Sequence, residues 1–101
     1  MVESIEAGLR REVREETGLT IEPVALTGVY KNMARGILGL VFRCSALSGH
    51  LTLNEEVSEF RWATPEEVKA LADEAFAVRV LGALADRPAP AVRQHDGLRI
   101  I

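Results

Sequence analysis

The sequence predicts an α/β domain of the α+β kind, and three observations predict it. Apolar residues recur every four positions through Glu3 to Thr17 and stop at Gly18. Two β-prone runs, Val24 to Tyr30 and Ile37 to Leu47, flank the polar segment KNMARG, and TPEE opens a second helical pattern at Thr64.

In the first helix Ile5, Leu9 and Val13 form the apolar stripe. Gly18 stands where a left-handed cap ends a helix, and Leu19 can fold back on the last turn. The two β runs read as a hairpin, with Gly36 suited to its turn. A loop is expected around Ser48 to His50 and a polar stretch at Asn54 to Glu56. A short strand should follow from about Val57 to Trp62, with Trp62 packed in the core. Thr64 is the expected N-cap of the second helix, Pro65 its first residue and Glu67 the capping-box partner. Val68, Leu71, Ala72, Ala75, Phe76, Val80, Leu81 and Leu84 carry the period to about Ala85, with a bend near Asp73. Residues 88–101 read as a Pro-punctuated tail in which Leu98 to Ile101 can pair as an edge strand. His50 and His95 are expected at the surface.

A chain of 101 residues is one domain at most. An apolar fraction of 48% argues against disorder. A net charge of −3 gives no general attraction to a nucleic acid polymer or an anionic membrane, so a polyphosphate ligand would need a local device such as a bound cation. Cys44 is the single cysteine, which excludes an internal disulfide and a multi-cysteine zinc site. Its apolar surroundings, ILGLVFRCSAL, suit a buried small hydrophobe. The opening MVESIEAG is not a basic, apolar leader, and no run of about 20 apolar residues spans a membrane. The expected compartment is the cytoplasm.

The stretch ESIEAGLRREVREETGL carries the chemistry. A helical advance of ~100° per residue places Glu12, Glu15 and Glu16 within an arc of about 100°. Like charges so spaced destabilise a bare helix, and a hard divalent cation would offset them. Mg²⁺ takes a few carboxylates and leaves its other positions to water and substrate phosphates. Arg11, four residues before Glu15 and next to Glu12, can hold a carboxylate in one orientation.

This stretch resembles the signature of the Nudix hydrolases. Arg11-Glu12-Val13-x-Glu15-Glu16-x-Gly18-Leu19 matches its REUxEExGU half, and Glu3 stands at the required distance before Arg11. A chance match at these fixed positions is on the order of 10⁻⁸ per starting point. The resemblance extends through RWATPEEV to about Ala85 and implies an α/β/α sandwich with a mixed sheet. It also implies hydrolysis of the phosphoanhydride of a nucleoside diphosphate linked to another group, with Mg²⁺ or Mn²⁺. Glu15 and Glu16 match the metal ligands, Glu12 a ligand or general base, and Arg11 with Glu3 an orienting pair. Such enzymes often add a carboxylate from outside the box, for which Glu55 or Glu56 is the candidate. A non-catalytic module binding a nucleotide or a protein is the alternative, since fold does not fix function.

The signature's first Gly would fall before residue 1, so the expectation is a domain over 1–101 lacking the family's early strands and Gly-rich turn. A sheet with uncovered edges then favours a homodimer. No auxiliary motif resembling those for coenzyme A, NADH or diadenosine polyphosphates is evident, and base, sugar and leaving group stay open.

Overall fold

A computed structural model describes residues 2–85 and 87–101. Its elements run α1 (Ile5–Thr17), β1 (Leu19–Asn32), β2 (Ile37–Gly49), α2 (Pro65–Leu71), α3 (Glu74–Leu84) and β3 (Ala91–His95). The three strands form a mixed sheet in the order β2-β1-β3, so the fold is α+β. No helix among the described residues is long and apolar enough to cross a membrane.

Contacts divide the chain into two compact units, Met1–Val24 with Cys44–Trp62 and Ala25–Arg43 with Ala63–Ile101. The first holds α1 and the outer parts of the hairpin strands. Ser4 caps α1 by accepting from the Ala7 N–H at 3.1 Å, and Gly18 closes it with φ +83°, its N–H donating to the Arg14 carbonyl at 2.9 Å. Ile21 is the buried apolar residue of this unit. Cys44 is half-buried, and burial pushes its thiol above the ordinary range, as befits a small packing residue.

The expected strand from Val57 to Trp62 does not form. The Asn54 side chain takes the N–H groups of Glu56 and Val57 at 2.8 and 3.0 Å, a local arrangement that competes with a ladder. Without that strand Trp62 has no sheet face to cover, and it is 81% exposed rather than in the core.

The second unit is built on the hairpin turn, α2, α3 and β3. Asn32 Oδ1 accepts from the N–H groups of Ala34 and Arg35, and the Gly36 N–H donates to the Asn32 carbonyl at 2.8 Å, closing the turn. Thr64 and Glu67 form the expected capping box, with Pro65 at the helix start. The expected bend near Asp73 is a full break. Asp73 leaves helical conformation and caps a separate helix, accepting from the Phe76 N–H at 3.0 Å.

The carboxyl-terminal segment departs most from its expected role as a tail. Ala91–His95 pairs parallel with Gly28–Asn32 as β3, while Ile100 makes an antiparallel bridge to His95. The Asp96 carboxylate accepts from Leu98 and Arg99 N–H groups, which holds its pKa below the usual carboxylate value, the Arg99 bond being the larger cause. His95 is 3% exposed, contrary to its expected place at the surface. Its Nδ1 accepts from the Gly97 N–H at 3.0 Å and its Nε2 lies 2.8 Å from Arg79 Nη2, so both ring nitrogens have partners inside.

Candidate functional site

The local chemistry of α1 orders its charged face. Glu3, just before the helix, meets Arg11 two turns on: Arg11 Nε lies 3.0 and 3.1 Å from the two Glu3 oxygens, and Nη2 lies 3.0 Å from Oε1. The same guanidinium donates through Nη1 to Glu15 at 3.2 Å and approaches Glu12 at 3.9 Å. These bonds hold the Glu3 carboxyl below its ordinary pKa and raise that of Arg11 further. Arg11 therefore holds both the Glu3 and the Glu15 carboxylates.

The end of α1 gathers a second segment. The last carbonyls of a helix have no partner within it. Here Thr17 accepts from the Thr52 N–H at 2.9 Å, and Glu16 accepts from Asn54 Nδ2 at 3.0 Å. Because the Asn54 oxygen also takes the N–H groups of Glu56 and Val57, one side chain ties the loop to the helix. The result is a hollow of about 360 Å³ lined by Glu15, Glu16, Asn54, Glu55 and Glu56.

Gly18 makes this approach possible. A Cβ there would run into the His50 carbonyl oxygen and the Thr52 side chain, and a Cβ on Gly49 would run into the Gly18 carbonyl. Both glycines have positive φ, at +83° and +98°.

Glu12, Glu15 and Glu16 thus lie on one exposed face of α1, with Glu55 and Glu56 beside the last two. Among the described residues no three His, Cys, Asp or Glu side chains come close enough to hold a metal by themselves. Physically, exposed like charges splay apart unless a cation draws them in. Glu16, Glu55 and Glu56 have no basic partner among the described residues. A second hollow beside Glu15 is lined by Arg10, Arg11, Arg14, Thr20 and Ile21. Arg10 is engaged by Glu22 at 2.6 Å. Sequence reasoning missed Asn54 and Thr52; the signal was an Asn two residues before a free N–H run, in the loop after β2.

The NUDIX domain profile matches residues 1–84. The chain belongs to the NUDIX family. It is similar to a MutT-like protein of Streptomyces ambofaciens, 48% identical over 99 residues, covering 98% of this chain and 64% of that protein. It is also similar to the Uncharacterized Nudix hydrolase YfcD of Salmonella typhi, 36% identical over 67 residues, covering 64% of this chain and 36% of that one. The YfcD protein of Escherichia coli K12 matches at the same identity. The chain spans less than two thirds of the length of these NUDIX relatives. No solved structure matches it.

Proposed function

We propose that the protein is a NUDIX-type hydrolase that cleaves the phosphoanhydride of a nucleoside diphosphate linked to another group, with Mg²⁺ or Mn²⁺. The observation that carries this reading is the acidic hollow lined by Glu15, Glu16, Glu55 and Glu56. Its donors are carboxylate oxygens, several without counter-charge, which is the chemistry that hard divalent cations require. Glu15 and Glu16 would hold the ion, with Glu12 a further ligand or the general base. When bound, the metal would neutralise the diphosphate and favour attack by water at phosphorus. Glu55 is the rival base. A base must come within hydrogen-bond reach of the attacking water, and Glu55 stands on the loop that Asn54 pins beside the helix. Arg11 keeps Glu15 oriented, and Arg14 lines the neighbouring hollow where substrate phosphates can be met.

The test is a screen of nucleoside diphosphate derivatives with Mg²⁺ and Mn²⁺, run beside Glu16→Gln. That variant should lose activity by roughly a hundredfold or more, about 2.7 kcal/mol of transition-state stabilisation, with folding retained. Normal turnover by Glu16→Gln would sink the assignment. Tight nucleotide binding without product under either metal would favour the non-catalytic module instead.

A further inference from the structure

The second unit holds a cavity that the acidic face does not use. It measures about 260 Å³ and is lined by Tyr30, Val78, Leu81, Gly82, Ala91 and two arginines, Arg87 and Arg93. Three features of its walls point to a ligand.

The first is the phenol. Tyr30 is 1% exposed as a residue, it lines the cavity, and no hydrogen bond of its hydroxyl is found among the described residues. A phenol that lines a cavity can both donate to and accept from a ligand there. The space at that hydroxyl is kept by a glycine inside α3: a Cβ on Gly82 would stand 3.2 Å from the phenol oxygen. Glycine is less favourable than alanine in a helix interior, and here it leaves room.

The second is positive charge that meets no carboxylate among the described residues. Neither Arg87 nor Arg93 has a carboxylate partner among the described residues. Arg79 adds a third guanidinium, 5.3 Å from the centre of the Tyr30 ring, and its Nε is buried with no acceptor. Its neighbour His95 supplies a ring nitrogen and no negative charge. The third is the distribution of charge along the chain: this unit has more Lys and Arg than Asp and Glu, the reverse of the whole protein. Positive potential focused in a partly apolar hollow attracts an anion, and guanidinium groups match the oxygens of phosphate in pairs.

We infer that the cavity beneath Arg87 and Arg93 is an oxyanion site for a phosphate dianion, with the Tyr30 hydroxyl as a third donor. Val78, Leu81 and Ala91 leave an apolar wall for the small organic group of a phosphate monoester. None of its lining residues belongs to α1, whose carboxylates would repel the same ligand in the absence of metal.

The experiment titrates the metal-free full chain with inorganic phosphate and with glycerol 3-phosphate, following Tm against sodium chloride of equal ionic strength. A hundredfold excess over Kd should raise Tm by roughly 10 °C. Arg93→Gln and Arg87→Gln should abolish the rise, Tyr30→Phe should weaken binding roughly tenfold, and Glu16→Gln should leave it intact. Tighter binding of the monoester identifies a phosphorylated metabolite, and equal binding identifies free phosphate; both support the site. Because a variant can misfold, amide chemical shifts of the unmodified chain give an independent reading, with changes centred on residues 30, 78, 82, 91 and 93. A rise matched by chloride, a rise that survives Arg93→Gln in folded protein, or shifts centred on α1 would overturn the proposal.

Discussion

Asn54 binds the last turn of α1 to the loop bearing Glu55: its amide donates to the Glu16 carbonyl at 3.0 Å while its oxygen accepts from the Glu56 N–H at 2.8 Å. Replacing it with alanine should cost about 1 kcal/mol of stability, since exposed hydrogen bonds stand at the low end of their range. Amide exchange at Glu56 and Val57 should speed up. Asn54→Asp keeps the acceptor but sets a negative charge against the negative end of the helix, and should be no better than alanine. Unchanged exchange in Asn54→Ala would show that the backbone holds the loop without the clasp.

The Glu3–Arg11 pair predicts a pH dependence. The Glu3 carboxyl is held below its ordinary 4.5 chiefly by the Arg11 hydrogen bond; desolvation opposes this, and the Arg11 charge adds a smaller lowering. The folded state therefore binds this proton less readily than the unfolded chain. The pair's contribution is present above about pH 4.5 and is lost as pH falls through the lower folded value. Both side chains are solvent-exposed, so the effect is small. Glu3→Gln should lower Tm slightly at neutral pH and converge with the parent in acid; a constant difference at all pH values would contradict the linkage.

Gly18→Ala should be strongly destabilising, by more than the 1–2 kcal/mol that a left-handed conformation costs an L-residue, because its Cβ also meets backbone. Urea denaturation measures it. A loss under 1 kcal/mol would mean that the loop shifts freely.

Addition of Mg²⁺ or Mn²⁺ should raise Tm if the carboxylates hold the ion without substrate, by the equivalent of about 2.7 kcal/mol at a hundredfold excess over Kd. Glu16→Gln should reduce that rise. An equal rise in both proteins would place the ion elsewhere.

The exposed apolar residues of β2 predict self-association. β2 lies at one edge of the sheet, and Ile37 and Leu38 on it are 56% and 62% exposed. A sheet edge that carries exposed apolar side chains is suited to a second copy. Light scattering at micromolar concentration should give more than the 11.1 kDa of one chain. Ile37→Lys should restore the monomer.

What was legible in the sequence was local. The α1 cap at Gly18, the hairpin turn at Asn32 to Gly36 and the Thr64 capping box each depend on residues a few positions apart. The carboxylates of the candidate site were legible for the same reason, because helical spacing alone puts Glu12, Glu15 and Glu16 on one face. β3 was not legible. Its five residues follow Pro88 and Pro90, and their partner is β1, a long way back in the chain. Pro23 likewise argues against a strand interior. β1 nonetheless runs past it, since β3 reaches only Gly28–Asn32 and leaves that stretch an edge. Trp62 and His95 were misplaced because burial follows from these distant pairings, and Asn54 was missed because its partners come from another segment.

The junction of Gly18 and Gly49 bears on how members of this lineage age. Each missing Cβ is excluded by main-chain atoms, so no second change that shrinks a neighbouring side chain can make room. Under the proposed function, a copy that lost hydrolysis would be free to drift at Glu12, Glu15 and Glu16, yet would still be obliged to keep glycine at position 18. That glycine is therefore a marker of ancestry and shape, whereas the carboxylates would report only on the proposed activity.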